Sequence, residues 1–199
     1  MKFIGFYSYT VVLTYLSLIS SVLGILLASR GEYTAAITSL LLSGVCDAFD
    51  GIVARSKKNR TDDEKAFGIQ LDSLCDVICF GIFPSYLCFC LGVNSIVGVL
   101  MICAYNICAV IRLAFFNVLE GNRQKTEGGC NKTYRGLPVT SISVIFPFLY
   151  FCFYFTLSKA DFTMLLQTML PAVAFLFILD FPVKKPDWAS MLTPRIRRK

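Results

Sequence analysis

The sequence predicts an all-α integral membrane protein, a single domain over residues 1–199 with six transmembrane helices. Of its 199 residues, 56% are hydrophobic and 16% are charged, and the mean hydropathy is +0.65. Soluble domains carry about 25% charged residues. The apolar residues also form runs of about 20, the length that crosses a hydrocarbon core of ~30 Å. These runs predict helices over 8–29, 33–55, 68–91, 95–118, 138–158 and 162–182.

The apolar runs have individual features that support their assignment as helices. The first run lacks the small-residue cleavage site of a signal peptide and is followed by further spans, so we interpret it as a retained helix. Its small residues Ser20, Gly24 and Ala28 are spaced by four and predict close packing against a neighbouring helix. Three later spans contain a proline, which membrane helices tolerate when neighbours satisfy the freed carbonyl groups. These prolines are Pro84, Pro147 and Pro171.

Lysine and arginine residues predict the orientation, because short loops rich in them stay in the cytoplasm. They cluster between the second and third helices, between the fourth and fifth, and after the sixth, whereas the opposite side carries Arg30 and Lys159. We therefore expect a multi-pass protein of the cell membrane with both termini in the cytoplasm. The net charge of +6 is spread over these loops, where anionic lipid headgroups account for it, and we expect no nucleic-acid partner.

Four aspartates interrupt the second and third apolar runs, where a charged side chain costs roughly 2.5 to 3.5 kcal/mol. On a helix that advances ~100° per residue, Asp47 and Asp50 share one face of the second helix, and Asp72 and Asp76 share one face of the third. Because these two helices are antiparallel, the two acidic stripes are expected to meet at one depth. Carboxylates packed together repel one another and require cations.

The expected cations are two divalent metal ions. All-oxygen ligands select hard cations, so Mg²⁺ is the first choice, with Mn²⁺ or Ca²⁺ as alternatives, and Mg²⁺ commonly binds substrate phosphates. Gly51 and Gly68 leave space for a ligand near the backbone, and Arg55 can hold a phosphate with its planar guanidinium. The chain contains no histidine, which excludes histidine-dependent triads, so the expected general base is a carboxylate.

The residues of the two acidic segments form one motif. It reads Asp47-x-x-Asp50-Gly51-x-x-Ala54-Arg55, then Gly68-x-x-x-Asp72-x-x-x-Asp76. This motif resembles that of the CDP-alcohol phosphotransferases, and the six-helix layout with a cytoplasmic active site agrees with that family. Residues 56–67 form a longer spacer than is usual there, which we interpret as an extended loop. The segments 80–84, 112–118 and 136–138 are similar to those of the phosphatidylserine synthase branch.

The resemblance implies transfer of the phosphatidyl group of CDP-diacylglycerol to an alcohol, here L-serine, with release of CMP. It implies that Gly51 and Arg55 contact the CDP group, that Asp76 is the general base, and that the protein is a homodimer. It also implies four metal ligands, Asp47, Asp50, Asp72 and Asp76.

The carboxylate of serine requires a cation in its pocket. Arg112, near the end of the predicted fourth helix, is the first candidate, with Asn117 further along that helix and Arg135 just before the fifth. The alternative for Arg112 is a snorkelling residue at the membrane interface, and the alternative for Asn117 is a structural role.

Other functions stay open at this stage. Related enzymes that make phosphatidylglycerophosphate, phosphatidylinositol phosphate or archaetidylserine carry the same motif. A cation channel or transporter also places acids at membrane depth, but it predicts acids spread along a pathway. A purely structural bundle gives no reason for the paired spacing of the acids.

Overall fold

The computed structural model describes residues 5–7, 9–57, 60–126 and 133–184. Its helices are α1 (Val12–Ser29), α2 (Tyr33–Ser56), α3 (Asp62–Asp76), α4 (Phe83–Cys90), α5 (Ile96–Thr126), α6 (Ile142–Phe153) and α7 (Lys159–Ile178). A π-helical segment, Val77–Ile82, joins α3 to α4 without a break. Two short strands, β1 (Thr133–Arg135) and β2 (Pro182–Lys184), pair in antiparallel register. The all-α prediction is confirmed, and the strand pair is an addition to it.

Five helical runs in the described part of the chain are long and apolar enough to cross a membrane. They are Tyr9–Ser29, Tyr33–Val53, Asp62–Cys90, Ile96–Gly121 and Lys159–Ile178. A sixth run, Val139–Phe153, is apolar but shorter. It ends before the predicted limit of 158 because the chain turns at 154–156. The chain is thus a multi-pass membrane bundle in which the fifth predicted helix is shorter than expected.

The third helical run begins at Asp62, earlier than the predicted 68, because a capping box starts it. The backbone N–H of Glu64 donates to Thr61 Oγ1 at 3.2 Å, and the Thr61 N–H donates to Glu64 Oε2 at 3.1 Å. Lys57 Nζ forms an ion pair with Glu64 Oε1 at 3.1 Å. Residues 62–67 of the spacer, predicted as part of a loop, are therefore helical. Similarly, α5 extends to Thr126 rather than ending near 118.

The small residues of α1 face the rest of the bundle. Ser20, Gly24 and Ala28 are all buried, as their spacing predicted. The backbone at Gly24 lies so close to the ring of Phe83 in α4 that an added Cβ would be 2.7 Å from Cε1 and 3.0 Å from Cε2, and closer still to Cζ. Phe83 is itself fully buried. This contact fixes the distance between α1 and the long helical run that carries Asp72 and Asp76.

The π-helical segment packs against the core through its buried residues Cys79, Phe80 and Gly81. Its residue Phe80 is fully buried, as is Tyr105 in α5. The Tyr105 hydroxyl donates to the carbonyl of Phe80 at 2.6 Å. A π turn changes the regular α-helical hydrogen-bond pattern and is often found at functional sites. Tyr105 thus ties α5 to the segment that directly follows Asp76.

Candidate active site

Three carboxylates from two helices converge at one point. Asp47 and Asp50 lie three residues apart on α2 and so share a face, and Asp72 comes from α3. One oxygen from each of these side chains lies within 4.8 Å of the other two, and all three residues are half-buried. The structure therefore brings together three of the four acids of the motif in a geometry that a single ion could bridge.

Asp76 adjoins this group without belonging to it. Its carboxyl group is at hydrogen-bonding distance from that of Asp47, and the carboxyl group of Asp72 makes the same kind of contact with Asp50. Two carboxyl groups approach this closely only with a proton or a cation between them. Asp76 is 9% exposed, which makes it the most enclosed of the four acids.

One atom of the site tests whether a metal ion fits. Asp72 Oδ1 is buried and accepts no hydrogen bond from the described residues. An ionised carboxylate can only accept, and leaving such an oxygen buried and unsatisfied is costly. A hard divalent cation such as Mg²⁺ or Mn²⁺ takes oxygen ligands of this kind. The donor set of Asp47, Asp50 and Asp72 therefore fits a divalent metal ion.

A third helix contacts the acids through Thr14 of α1. Its hydroxyl donates to Asp50 Oδ2 at 3.1 Å, and the side chain is 6% exposed. No motif in the sequence points to Thr14. A partial signal exists, because Thr14, Ser17 and Ser21 recur at helical spacing on a mostly apolar segment, and all three are buried.

The glycines of the motif are half-buried, and one of them adjoins an arginine from the spacer. A Cβ added to Gly68 would lie 2.6 Å from Arg60 Nη2. That nitrogen donates to the carbonyl of Glu64 at 3.1 Å, so α3 holds the guanidinium over Gly68. The longer spacer therefore brings a cation to one edge of the site. The backbone of Arg55 lies at the end of α2 and that of Arg135 in β1, and their side chains lie outside the described part of the structure.

Arg112 is enclosed by protein. It is 6% exposed and donates from Nε to the carbonyl of Leu137 and from Nη2 to that of Gly136, both at 3.2 Å. Its Cζ lies 4.3 Å from the centre of the Phe116 ring, a cation–π distance. Because α5 continues to Thr126, Arg112 lies well inside the helix rather than near its end. These contacts fasten the segment before α6, and they do not fit a snorkelling residue.

Asn117 connects α5 to α3 beside the acids. Its Oδ1 accepts a hydrogen bond from Ser73 Oγ at 2.7 Å, and Ser73 directly follows Asp72 in the sequence. This bond fits the structural alternative for Asn117, since it holds the two helices in register at the level of the site.

The chain matches a family of known proteins. The family model described as CDP-alcohol phosphatidyltransferase matches residues 9–181. The chain belongs to this family. The match includes both halves of the acidic motif and six of the helical runs around it, so the resemblance noted in the sequence is confirmed, and the CDP-alcohol phosphatidyltransferase region accounts for nearly all of the described structure.

Individual relatives are similar over much of the chain. The archaetidylserine synthase of Methanothermobacter thermautotrophicus is 34% identical over 174 residues, covering 85% of this chain and 69% of the relative. The CDP-diacylglycerol–serine O-phosphatidyltransferase of Saccharomyces cerevisiae is 32% identical over 151 residues, covering 74% and 50%. The protein of the same name from Helicobacter pylori is 31% identical over 131 residues, covering 65% and 51%. The chain thus aligns with about half the length of the two O-phosphatidyltransferases.

Proposed function

We propose that this protein transfers the phosphatidyl group of CDP-diacylglycerol to the hydroxyl of L-serine, giving phosphatidylserine and CMP. The observation that carries the reaction class is the convergence of Asp47, Asp50 and Asp72 within 4.8 Å, inside the region that matches the family model. The choice of serine rests on the names of the relatives, which are serine O-phosphatidyltransferases and an archaetidylserine synthase.

The acids have separate tasks in this proposal. Two divalent ions, Mg²⁺ or Mn²⁺ with Ca²⁺ as the alternative, supply when bound the positive charge that stabilises the diphosphate and the departing CMP. Asp47, Asp50 and Asp72 would hold these ions, and the neighbouring Asp76 would be a further carboxylate at their site. Gly51 leaves space at the α2 backbone for the CDP group, and Arg55 binds its phosphates with charge-assisted hydrogen bonds.

Asp76 is the general base. It takes the proton of the serine hydroxyl as the serine oxygen bonds to the phosphorus of the phosphatidyl group and the bond from that phosphorus to CMP breaks. The burial of Asp76 keeps bulk water away from the base, which disfavours hydrolysis of the donor in place of transfer to serine.

The serine pocket is assigned to Arg112 and Arg135 in this proposal, with Asn117 in the structural role that its bond from Ser73 fits. Arg112 offers five N–H donors, and its bonds to Gly136 and Leu137 hold the guanidinium in one orientation. A serine carboxylate would be bound by the donors that point away from those carbonyls. The guanidinium would then favour an anionic acceptor. Because it would also accept the phosphate of glycerol 3-phosphate or inositol phosphate, the choice among these acceptors rests on the CMP-release assay with each of them.

The proposed enzyme is a homodimer whose active site and termini face the cytoplasm. The distribution of lysine and arginine supports this orientation, because the basic loops adjoin the ends of α2 and α3 that carry the acids. Reporter fusions at the two termini test the orientation. Cross-linking in native membranes tests the dimer.

A second candidate differs only in the lipid. The alignment with an archaetidylserine synthase covers 85% of this chain, which favours an archaeal ether-lipid CDP donor as the alternative to CDP-diacylglycerol. The acids bind the diphosphate that both donors share, so they do not distinguish the two lipids.

The test is CMP release by the purified protein in detergent with Mn²⁺. Each donor is offered with L-serine, glycerol 3-phosphate or inositol phosphate, and Asp72→Asn serves as the inactive control. We expect CMP release with serine that is lost in the variant. Release only with another alcohol contradicts the serine assignment, and no release with any acceptor contradicts the enzymatic function.

A further inference from the structure

The acidic cluster receives a hydrogen bond from outside its motif. The motif lies wholly on α2 and α3, whereas Thr14 is on α1. Its Oγ1 donates to Asp50 Oδ2 at 3.1 Å, and the threonine is 6% exposed. Bulk water therefore does not readily replace this donor.

The hydroxyl of Thr14 is held in place by the packing of α1 on α2. One helical turn deeper, Ser17 Oγ lies 2.7 Å from Ser43 Oγ, and a further turn along, Ser21 Oγ donates to the same Ser43 oxygen at 2.9 Å. Small and hydroxyl-bearing side chains of this kind allow membrane helices to approach closely. The anchored pair of helices thus presents Thr14 to Asp50 from a fixed position.

A donor on one oxygen of a carboxylate restricts rotation of the whole group. With Oδ2 of Asp50 held by Thr14, the direction of the other oxygen relative to Asp47 and Asp72 is also restricted. Hydrogen-bond partners that orient metal ligands in this way typically change metal affinity or activity 10- to 100-fold. The neighbouring contact between the carboxyl groups of Asp50 and Asp72 depends on the same orientation.

We infer that Thr14 is a positioning residue, whose hydroxyl holds Asp50 in the orientation that binds a divalent cation. This inference rests on the metal site of the proposed function, and it adds α1 to the elements that build that site. It predicts that loss of the hydroxyl weakens metal binding, while the chemical step proceeds once enough metal is supplied.

The test measures Mn²⁺ binding directly, from the electron paramagnetic resonance signal of free Mn²⁺ during titration of the purified full-length protein. Thr14→Val removes the hydroxyl and keeps the shape, Thr14→Ser keeps the hydroxyl, and Thr14→Ala replaces the valine variant if that variant does not fold. Ser20→Ala is the matched control, because Ser20 Oγ donates at 2.9 Å to the carbonyl of Ser39 in the same helix interface, far from the acids. Melting temperatures check that each variant is folded.

We expect Thr14→Val to bind Mn²⁺ at least about 10-fold more weakly than the wild type, with Thr14→Ser and Ser20→Ala close to the wild type. The Mn²⁺ concentration for half-maximal CMP release should rise by a similar factor, with the maximal rate largely retained. Wild-type Mn²⁺ affinity in Thr14→Val overturns the inference, and so does an equal loss of affinity in Ser20→Ala. Unchanged Mn²⁺ binding in an Asp50→Asn variant also overturns it.

The inference and the proposed function fail in different ways. If the wild type binds Mn²⁺ through Asp50 and Thr14→Val weakens that binding, but no alcohol yields CMP, the role of Thr14 stands and the proposed reaction falls. If the wild type releases CMP with serine and Thr14→Val has an unchanged Mn²⁺ dependence, the reaction stands and the role of Thr14 falls.

Discussion

The contact between Gly24 and Phe83 gives the sharpest test of the packing that supports the site. Gly24→Ala adds a methyl group at a position 2.7 Å from Phe83 Cε1. Carbon atoms pack favourably at about 3.5–4.0 Å, so the methyl would lie about 1 Å too close to the ring. Phe83 is fully buried, so its ring cannot move out into solvent to relieve the overlap.

The expected magnitude follows from this overlap. Forcing an extra methyl into a packed interior typically costs 1–3 kcal/mol, and α1 must shift away from α4 to relieve it. We expect the free energy of unfolding of Gly24→Ala to fall by about 1–3 kcal/mol. The shift would also move Thr14, so the affinity for Mn²⁺ should fall with it.

Unfolding in mixed micelles of increasing SDS fraction measures this loss. The matched control is Gly121→Ala in α5, where an added Cβ would meet nothing within 4 Å, so this variant shows the helix propensity of alanine without the overlap. The double variant Gly24→Ala with Phe83→Leu should lose less stability than the sum of the two single changes. Equal stability of the Gly24 and Gly121 variants would refute the reasoning.

Three further predictions concern the acids and the helices that carry them. Asp76→Asn should retain Mn²⁺ and CDP binding but lose CMP release, because a carboxamide cannot take the proton of the acceptor; normal turnover would remove Asp76 as the base. Tyr105→Phe removes the buried hydrogen bond to the Phe80 carbonyl and should lower the unfolding free energy by about 1–3 kcal/mol, measured by the same SDS titration. Thr61→Ala removes the capping box and should cost about 1 kcal/mol, seen as faster amide hydrogen exchange in the first turn of α3 with exchange in α5 unchanged.

The sequence predicted the membrane helices and the meeting of the acids because both follow from local periodicity. Apolar runs of about 20 residues usually form transmembrane helices, and side chains three or four residues apart share a helix face. The positions of Asp47, Asp50 and Asp72 thus needed only an antiparallel pairing of two neighbouring helices. The packing role of Gly24 could likewise be predicted, because it follows from the four-residue spacing of small side chains on one helix.

The start of α3 could also have been predicted from the sequence, but from its capping residues rather than from hydropathy. The apolar run begins near residue 68, and a hydropathy criterion assigns the charged residues before it to a loop. The pattern Thr61-x-x-Glu64 is a capping box, and it places the helix start at Asp62 as observed. Local capping chemistry, rather than hydropathy, therefore determines where this helix begins.

Contacts between distant segments were not accessible from the sequence. The bond from Thr14 to Asp50 joins residues 36 positions apart, and a threonine in an apolar helix gives no sign of its partner. The sequence offered Arg112 as a substrate-binding residue but gave no sign of its bonds to Gly136 and Leu137, because those bonds depend on how the segment before α6 returns to α5. The pairing of β1 with β2 likewise depends on the tertiary fold.

The π-helical segment introduces a phase shift into one continuous helical run. A regular α-helix turns by 100° per residue, and a π turn accommodates one additional residue, so α4 is rotated by roughly 100° relative to an unbroken extension of α3. Asp76 can therefore face α2, where the chemistry is proposed, while Phe83 faces Gly24 on α1. If one residue of Val77–Ile82 were deleted, Asp76 could not face α2 while Phe83 faces Gly24. A relative without the π turn therefore needs a different residue to fill the groove at Gly24.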